Sequence, residues 1–335
     1  MIKNAIPLKI SGVGYSVPKT VVTNDDLTKL YETSDEWIYS RTGIKERRLV
    51  SGNESAIDLG EIASREALKK ASIEPNDLDM IISASSTPVE MYSMGCRIQK
   101  RLGITKTIPA FDISAACSGL IYGLSIARGL IGSGMYKNIL IVATDNNSRH
   151  LDWSDRGTSI LFGDGAGAFV VTPSDDGIDD IIALDIQSDG GQSDLIELHF
   201  DGDTCPLVEP NEKREPKIKM NGKGVYTFVV KLLPNYVANL INDAGLRTED
   251  IDYMVPHQAN IRIIKAVQER IGIADDKVIT NLEYYGNTSA ASIPIALVEG
   301  VKNNQMKLNS TVLLCGFGAG MTWGGAIVHL RNGIC

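Results

Sequence analysis

The 335-residue chain repeats its order of elements once, at an offset close to half its length, and this repeat restricts its fold more than any other feature. The segment ASIEPNDLDMIISASSTP, from Ala71, matches AGLRTEDIDYMVPHQAN, from Ala244. Each holds a helix end, a turn with an acidic cap and an Asp-apolar entry into a strand, with Asp79 and Asp252 in the same place. RLGI (Arg101 to Ile104) answers RIGI (Arg270 to Ile273), and SGLIYGLSIARGL answers SAASIPIALVEGV, with Gly129 matched to Gly300. NILIVATD then answers STVLLCGFG. These matches keep one order and nearly one offset, which points to a duplicated architecture. The boundary is expected in the polar PSDDGIDD at Pro173 to Asp180, giving halves 1–175 and 176–335.

Within each half, apolar runs of strand length alternate with helical patterns. MIISASS from Met80, NILIVAT from Asn138 and GAFVVT from Gly167 read as buried strands, and Ser55 to Ser72 and Ser118 to Gly132 as helices. That alternation defines an α/β protein with largely buried sheets. Two halves related by a pseudo-twofold axis would bring the element that carries Cys117 against the GNTSAAS segment that begins at Gly286.

Composition removes several functions. A net charge of −8 and a pI near 5.1 argue against a nucleic-acid binder. Lys9 and Pro7 interrupt the start before a signal-peptide core develops, and no run approaches the roughly 18 apolar residues of a spanning helix, so a cytoplasmic protein with no membrane partner is expected. Five cysteines (Cys96, Cys117, Cys205, Cys315, Cys335) are odd in number and lack a CxxC pair, which suggests neither a disulfide framework nor a zinc site.

Chemistry concentrates in four places. In FDISAACSGL, Cys117 stands at the first turn of the expected helix, where free N–H groups and the helix dipole favour a thiolate and lower its pKa. The same residue also reads as a small core hydrophobe. His257, in YMVPHQANIRII, ends an expected buried strand, where α/β sheets present functional groups. His150, His199 and His329 lie in contexts that read as loop or strand surface. Asn287, in YYGNTSAASIPIAL, is either functional or a helix cap. CGFGAGMTWGG supplies a glycine-rich turn whose N–H groups suit an oxyanion, whereas GDGAGA at Gly163 to Ala168 lacks the lysine and downstream acid of nucleotide fingerprints. Cys, His and Asn in that order also fit a papain-like thiol hydrolase, but no CGSCW surrounds Cys117, and Asn287 follows His257 closely, within the second repeat.

DEWIYSRTGIKERR, AACSG, DRGTSILFGDGAGA, VPHQANIRII, YGNTSAAS and GFGAGMTWG together resemble, in order and spacing, the beta-ketoacyl-acyl carrier protein synthase III enzymes of the thiolase superfamily. The resemblance implies a thiolase-like duplicated five-layer αβαβα sandwich that forms homodimers. It implies an acyltransferase that starts type II fatty acid synthesis by a decarboxylating Claisen condensation. An acyl-CoA, acetyl-CoA expected, acylates Cys117; malonyl-acyl carrier protein then loses CO2 and attacks, giving 3-oxoacyl-acyl carrier protein and CoA. The catalytic residues would be Cys117, His257 and Asn287, with the N–H groups of Cys117 and Ala319 as an oxyanion hole. The CoA thioester is a substrate, and neither cofactor nor metal is implied.

The motifs further place Trp37 and Arg156 on either side of the adenine, with Thr33, Arg41, Gly222 and Asn260 along the pantetheine approach. Outside that context Trp37 reads as packing and Arg156 as an ion pair with Asp155. Arg262, Lys265 and Arg270 offer the acidic carrier protein a basic helix face, interrupted by Glu269. Met91 occupies a position where an aromatic residue often closes the acyl pocket, and its flexible side chain would admit a longer or branched primer. Two alternatives remain: a specialised-metabolism member that transfers a different acyl group, and a silent subunit that only binds the carrier protein.

Overall fold

The computed structural model describes residues 5–87, 91–198, 207 and 216–335. His199, Cys205 and Val89-Glu90 lie outside the described residues. The first half builds a five-stranded sheet from β1 (Leu8–Ser16), β2 (Met80–Ala84), β3 (Ala110–Ile113), β4 (Ile139–Asp145) and β5 (Gly165–Pro173), in the order β1-β5-β4-β2-β3. The second builds a four-stranded sheet from β6 (Ile181–Ser188), β7 (Tyr253–Pro256), β8 (Ser310–Gly318) and β9 (Thr322–Leu330), in the order β7-β8-β9-β6. β2 and β4 run parallel, as do β7 and β8, while β5 and β9 return antiparallel. The strand counterpart of β3 is reduced to one bridge between Met254 and Val278.

The longer helices are α1 (Asp35–Thr42), α2 (Ala56–Ala71), α3 (Met94–Leu102), α4 (Gly119–Gly132), α5 (Gly222–Asp243), α6 (Ile261–Ile271) and α7 (Ser292–Lys302). Capping sets several of their ends. Ser55 accepts from the Asp58 N–H to begin α2, and Ser72 closes it in the left-handed region. Gly103 after α3 and Gly272 after α6 sit at φ 74° and 84°, a conformation glycine adopts without a Cβ penalty. These two glycines belong to the RLGI and RIGI repeats.

Hydrophobic periodicity decides the layers. α2, α3 and α6 carry one apolar face; α2 and α3 cover the outer face of the first sheet and α5 and α6 that of the second. α4 and α7 lie between the sheets, with Leu120, Ile121, Leu124, Ile293, Ala296 and Leu297 all in one core with residues of both. The order is αβαβα, as the resemblance implied. Sandwiched on both faces, β2 and β4 are buried at every position, which is why they read as continuous apolar runs.

The two central helices begin alike. A 3₁₀ turn at Ala116–Ser118 leads into α4, and one at Ser289–Ala291 leads into α7. Each turn opens on a residue with positive φ, Ala116 at 46° and Ser289 at 55°.

Candidate active site

Cys117, His257 and Asn287, far apart in sequence, line one cavity of about 420 Å³. Cys117 sits in the turn before α4 rather than in the helix proper. The turn is braced from the second half: the Ser118 hydroxyl reaches Thr322 Oγ1 at 2.8 Å, and Thr322 Oγ1 donates to the Ala115 carbonyl at 2.9 Å. Gly318 packs so closely that an added Cβ would stand 2.5 Å from the Cys117 nitrogen. Ala319 follows it on the cavity wall.

The expected depression of the thiol pKa is not what the surroundings produce. Burial pushes the Cys117 thiol up to about 12; a negative charge on Asp145 would add in the same direction, and the neighbouring Ser289 hydroxyl opposes it. Removing a thiolate from water outweighs the partial charges of one helix end. The resting group is therefore the thiol.

His257 follows Pro256 at the end of β7, its N–H held by the Cys315 carbonyl at 2.8 Å. The imidazole is buried against the edge of Phe317, 5.5 Å between centroids, and burial draws its pKa down to about 3. It is neutral. Nδ1 lies 2.7 Å from the Ser292 hydroxyl, whose oxygen already accepts the Gln258 N–H at 3.3 Å. Among the described residues the hydroxyl proton meets no acceptor but Nδ1, so it is directed there and Nε2 carries the imidazole proton.

Asn287 does not cap a helix. Its Oδ1 accepts the Ser289 N–H at 2.8 Å, so its NH2 is the end available to the cavity. Its backbone is clamped by the first half: the Asn287 N–H donates to Leu161 O at 2.8 Å, and the Gly163 N–H donates to Asn287 O at 2.9 Å. The glycine-rich run that resembled no nucleotide motif thus begins at a clamp on Asn287. Arg47, fully buried, secures this loop by donating to the Ile160 carbonyl at 2.8 Å.

At the mouth stand Trp37, Arg41, Gly222, Asn260 and Arg262. The Arg41 and Arg156 guanidinium carbons lie 4.3 and 4.8 Å from the Trp37 ring centroid. Arg156 makes no ion pair with Asp155; it donates to the Glu32 carbonyl at 2.8 Å, while Asp155 caps Gly157 and Thr158. A spacing of 4.8 Å is one layer of contact, whereas a ring inserted between indole and guanidinium needs two layers of about 3.5 Å. Adenine entry between them requires Arg156 to move. Arg156, against Trp37, is beside the mouth, and neither it nor Thr33 lines the cavity.

Asn260 caps α6 through the Arg262 N–H and donates to the Arg41 carbonyl at 3.2 Å, tying α6 to α1. On α6, Arg262 donates to the Ser40 carbonyl at 2.8 Å and Arg270 to the Val230 carbonyl at 2.6 Å, and Lys265 is exposed. Met91 is not in the cavity: its side chain is fully exposed. It precedes α3, which packs against the edge strand β3. His150 is not on the surface either; it is buried, with Nδ1 3.2 Å from the Pro216 carbonyl.

Sequence reasoning missed Ser292, Ser289, Arg47 and Asp145. The two serines stand in a motif already singled out, where Thr and Ser read equally well as helix caps. Among the described residues no cluster of three or more His, Cys, Asp or Glu side chains is placed to hold a metal, and no helix is long and apolar enough to cross a membrane.

Comparison with known proteins agrees along nearly the whole chain. Residues 111–190 match the family model 3-oxoacyl-[acyl-carrier-protein (ACP)] synthase III, and residues 241–330 match the model of its C-terminal part. The beta-ketoacyl-[acyl-carrier-protein] synthase III of Natranaerobius thermophilus is 44% identical over 324 residues, covering 96% of this chain and 98% of that protein. The crystal structure of 3-oxoacyl-[acyl-carrier-protein] synthase III from Aquifex aeolicus superposes with a TM-score of 0.87 at 40% identity, covering 96% and 99% of the two chains. The priming beta-ketosynthase of the R1128 polyketide biosynthetic pathway superposes at 0.90 with 33% identity, covering 98% and 97%.

Proposed function

Since the chain belongs to the 3-oxoacyl-[acyl-carrier-protein] synthase III family, we propose that it condenses an acyl-CoA primer with malonyl-acyl carrier protein, using Cys117, His257 and Asn287. It is a condensing enzyme of the acyltransferase type, and the reaction initiates fatty acid synthesis. The observation that supports the residue roles is that a thiol, a neutral imidazole and an amide NH2 share one cavity.

In the first half-reaction the Cys117 sulfur forms a bond to the acyl carbon while the carbon–sulfur bond to CoA breaks. Because burial holds the thiol neutral, its proton leaves during attack and ends on the CoA sulfur. Charge develops on the acyl oxygen, where the Cys117 and Ala319 N–H groups would receive it. In the second, the malonyl C–CO2 bond breaks and its electron pair becomes an enolate. The His257 Nε2–H and the Asn287 NH2 donate to the enolate oxygen, both preorganised by serines and excluded from water. The enolate carbon attacks the acyl carbon, the carbon–sulfur bond to Cys117 breaks, and the sulfur takes up a proton from solvent.

Trp37, Arg41, Gly222 and Asn260 would hold the CoA arm, with Arg156 swinging off Trp37 to admit adenine. Arg262 at the mouth, with Lys265 and Arg270 farther along α6, would meet the acidic carrier protein, in the cytoplasm. The exposed edge of β3 and the neighbouring exposed Met91 and Tyr92 support a homodimer paired along that edge, in which Met91 reaches the second copy. The R1128 likeness leaves the same chemistry open to another pathway.

Intact-protein mass spectrometry after incubation with a panel of acyl-CoAs tests the proposal. A covalent acyl adduct, absent in Cys117→Ala, is expected; no adduct with any primer sinks it. His257→Ala is expected to acylate but not to release CO2 from malonyl-acyl carrier protein.

A further inference from the structure

Asp145 ends β4, has no exposed surface and plays no part in the mechanism above. Its two oxygens are used unequally. Oδ1 accepts four hydrogen bonds: from the Ser85 hydroxyl at 3.1 Å, the Thr87 hydroxyl at 3.0 Å, the Ser86 N–H at 2.8 Å and the Thr87 N–H at 3.1 Å. Oδ2 is equally buried, and among the described residues no donor meets it in hydrogen-bond geometry. Ser289 lines the same cavity wall as Cys117 and neighbours both the thiol and this carboxyl, without completing a hydrogen bond to Oδ2.

We propose that Asp145 is held as the neutral carboxylic acid, its Oδ2 proton directed to Ser289, whose own proton is thereby aimed at the Cys117 sulfur. Asp145 is then a positioning residue that acts through Ser289. The inference rests on Cys117 being the nucleophile.

Two physical arguments carry it. An ionised carboxylate would keep charge on a buried oxygen that no group donates to, at a cost of several kcal/mol. Protonation turns that oxygen into a donor, and all four existing donors already converge on the other one. Second, a carboxylate here would repel the sulfur as it gains charge, whereas two O–H groups in series end their dipoles on it. Burial moves the Asp145 pKa upward, in the same direction. The titratable groups around the pair are His257 across the cavity, with Asp164 and His150 beside Asp145. Asp164 is itself driven upward by burial and His150 downward, so burial favours the neutral form of each.

The test is the pH midpoint of Cys117 alkylation by iodoacetamide, read on the Cys117 peptide by mass spectrometry. Asp145→Asn places an N–H donor where the acid has O–H, and the midpoint is expected to stay within about 0.3 unit of the parent protein. Asp145→Leu and Ser289→Ala lack a link of the chain, and each is expected to raise it by about 0.5 to 1 unit. A fall of about one unit in Asp145→Asn would show that a negative charge had been removed, and would overturn the proposal. So would an unchanged midpoint in both Asp145→Leu and Ser289→Ala. Should the leucine variant not fold, infrared difference spectra of the parent and Asp145→Asn decide: a protonated-carboxyl stretch lost in the variant is expected, and its absence from the parent refutes the idea. If Cys117 takes neither iodoacetamide nor an acyl group in the parent protein, it is the nucleophile assignment that fails.

Discussion

The Ser292 hydroxyl stands 2.7 Å from Nδ1 of His257, and both groups are buried. One proton on that contact decides which nitrogen of the imidazole can donate into the cavity. Ser292→Ala leaves Nδ1 without its donor and releases the competing tautomer. The loss of a buried hydrogen bond worth about 1–2 kcal/mol predicts a fall of roughly 5–30-fold in malonyl decarboxylation. Acylation of Cys117 should hardly change. Stopped assays of CO2 release and of the acyl adduct, run on the same preparation, separate the two steps.

Gly318 tests how tightly the nucleophile's backbone is packed. A Cβ there would lie 2.5 Å from the Cys117 nitrogen and 2.7 Å from the Ala116 Cβ. Gly318→Ala is expected to displace the turn at a cost of about 1–3 kcal/mol, visible as a lower urea midpoint. Acylation should fall by more than about tenfold in the fraction that folds, because the N–H meant for the acyl oxygen moves. Acylation at the parental rate would show that the turn tolerates the shift.

Neutral His257 sets an acid limit on stability. Its folded pKa of about 3 lies below the ordinary value of 6.5, so below that value the unfolded chain binds a proton that the folded chain refuses. The stability contributed by keeping it neutral is complete above about pH 6.5 and is lost as pH falls toward 3. Between about pH 7 and about pH 5, His257→Gln should lose about 2 kcal/mol less than the parent protein in urea unfolding. Equal losses would mean the imidazole is solvated in the folded state.

The exposed Met91 beside the β3 edge predicts an assembly-dependent effect rather than a cavity effect. Met91→Lys is expected to weaken self-association by about tenfold or more, as a charge at a buried interface anchor does. Sedimentation equilibrium would show the shift, and a parent protein that is monomeric throughout would refute the homodimer.

Periodicity and capping are local, and so are legible in the sequence alone. The helix read over Ser55 to Ser72 is realised as Ala56–Ala71 between two serine caps, and the buried runs from Met80 and Asn138 form the interior strands β2 and β4. The repeat in the sequence is the repeat in the sheets, and the αβαβα layering follows from it because a duplicated unit with two apolar faces must bury both. The position of Cys117 at the start of a helix is readable too.

Its chemistry is not. The thiol is held up, not down, because desolvation depends on what covers the turn, and the cover is Thr322, Gly318 and Ser289 from the other half. The proton arrangement on His257 depends on a serine 35 residues away, and the orientation of Asn287 on a loop from the first half. Met91 carries no local sign that its side chain faces away from its own cavity. Residue type and spacing determined which groups the chain could bring to a site. Only packing decided their ionisation and hydrogen-bond direction, since both are set by neighbours that are close in space and distant along the chain.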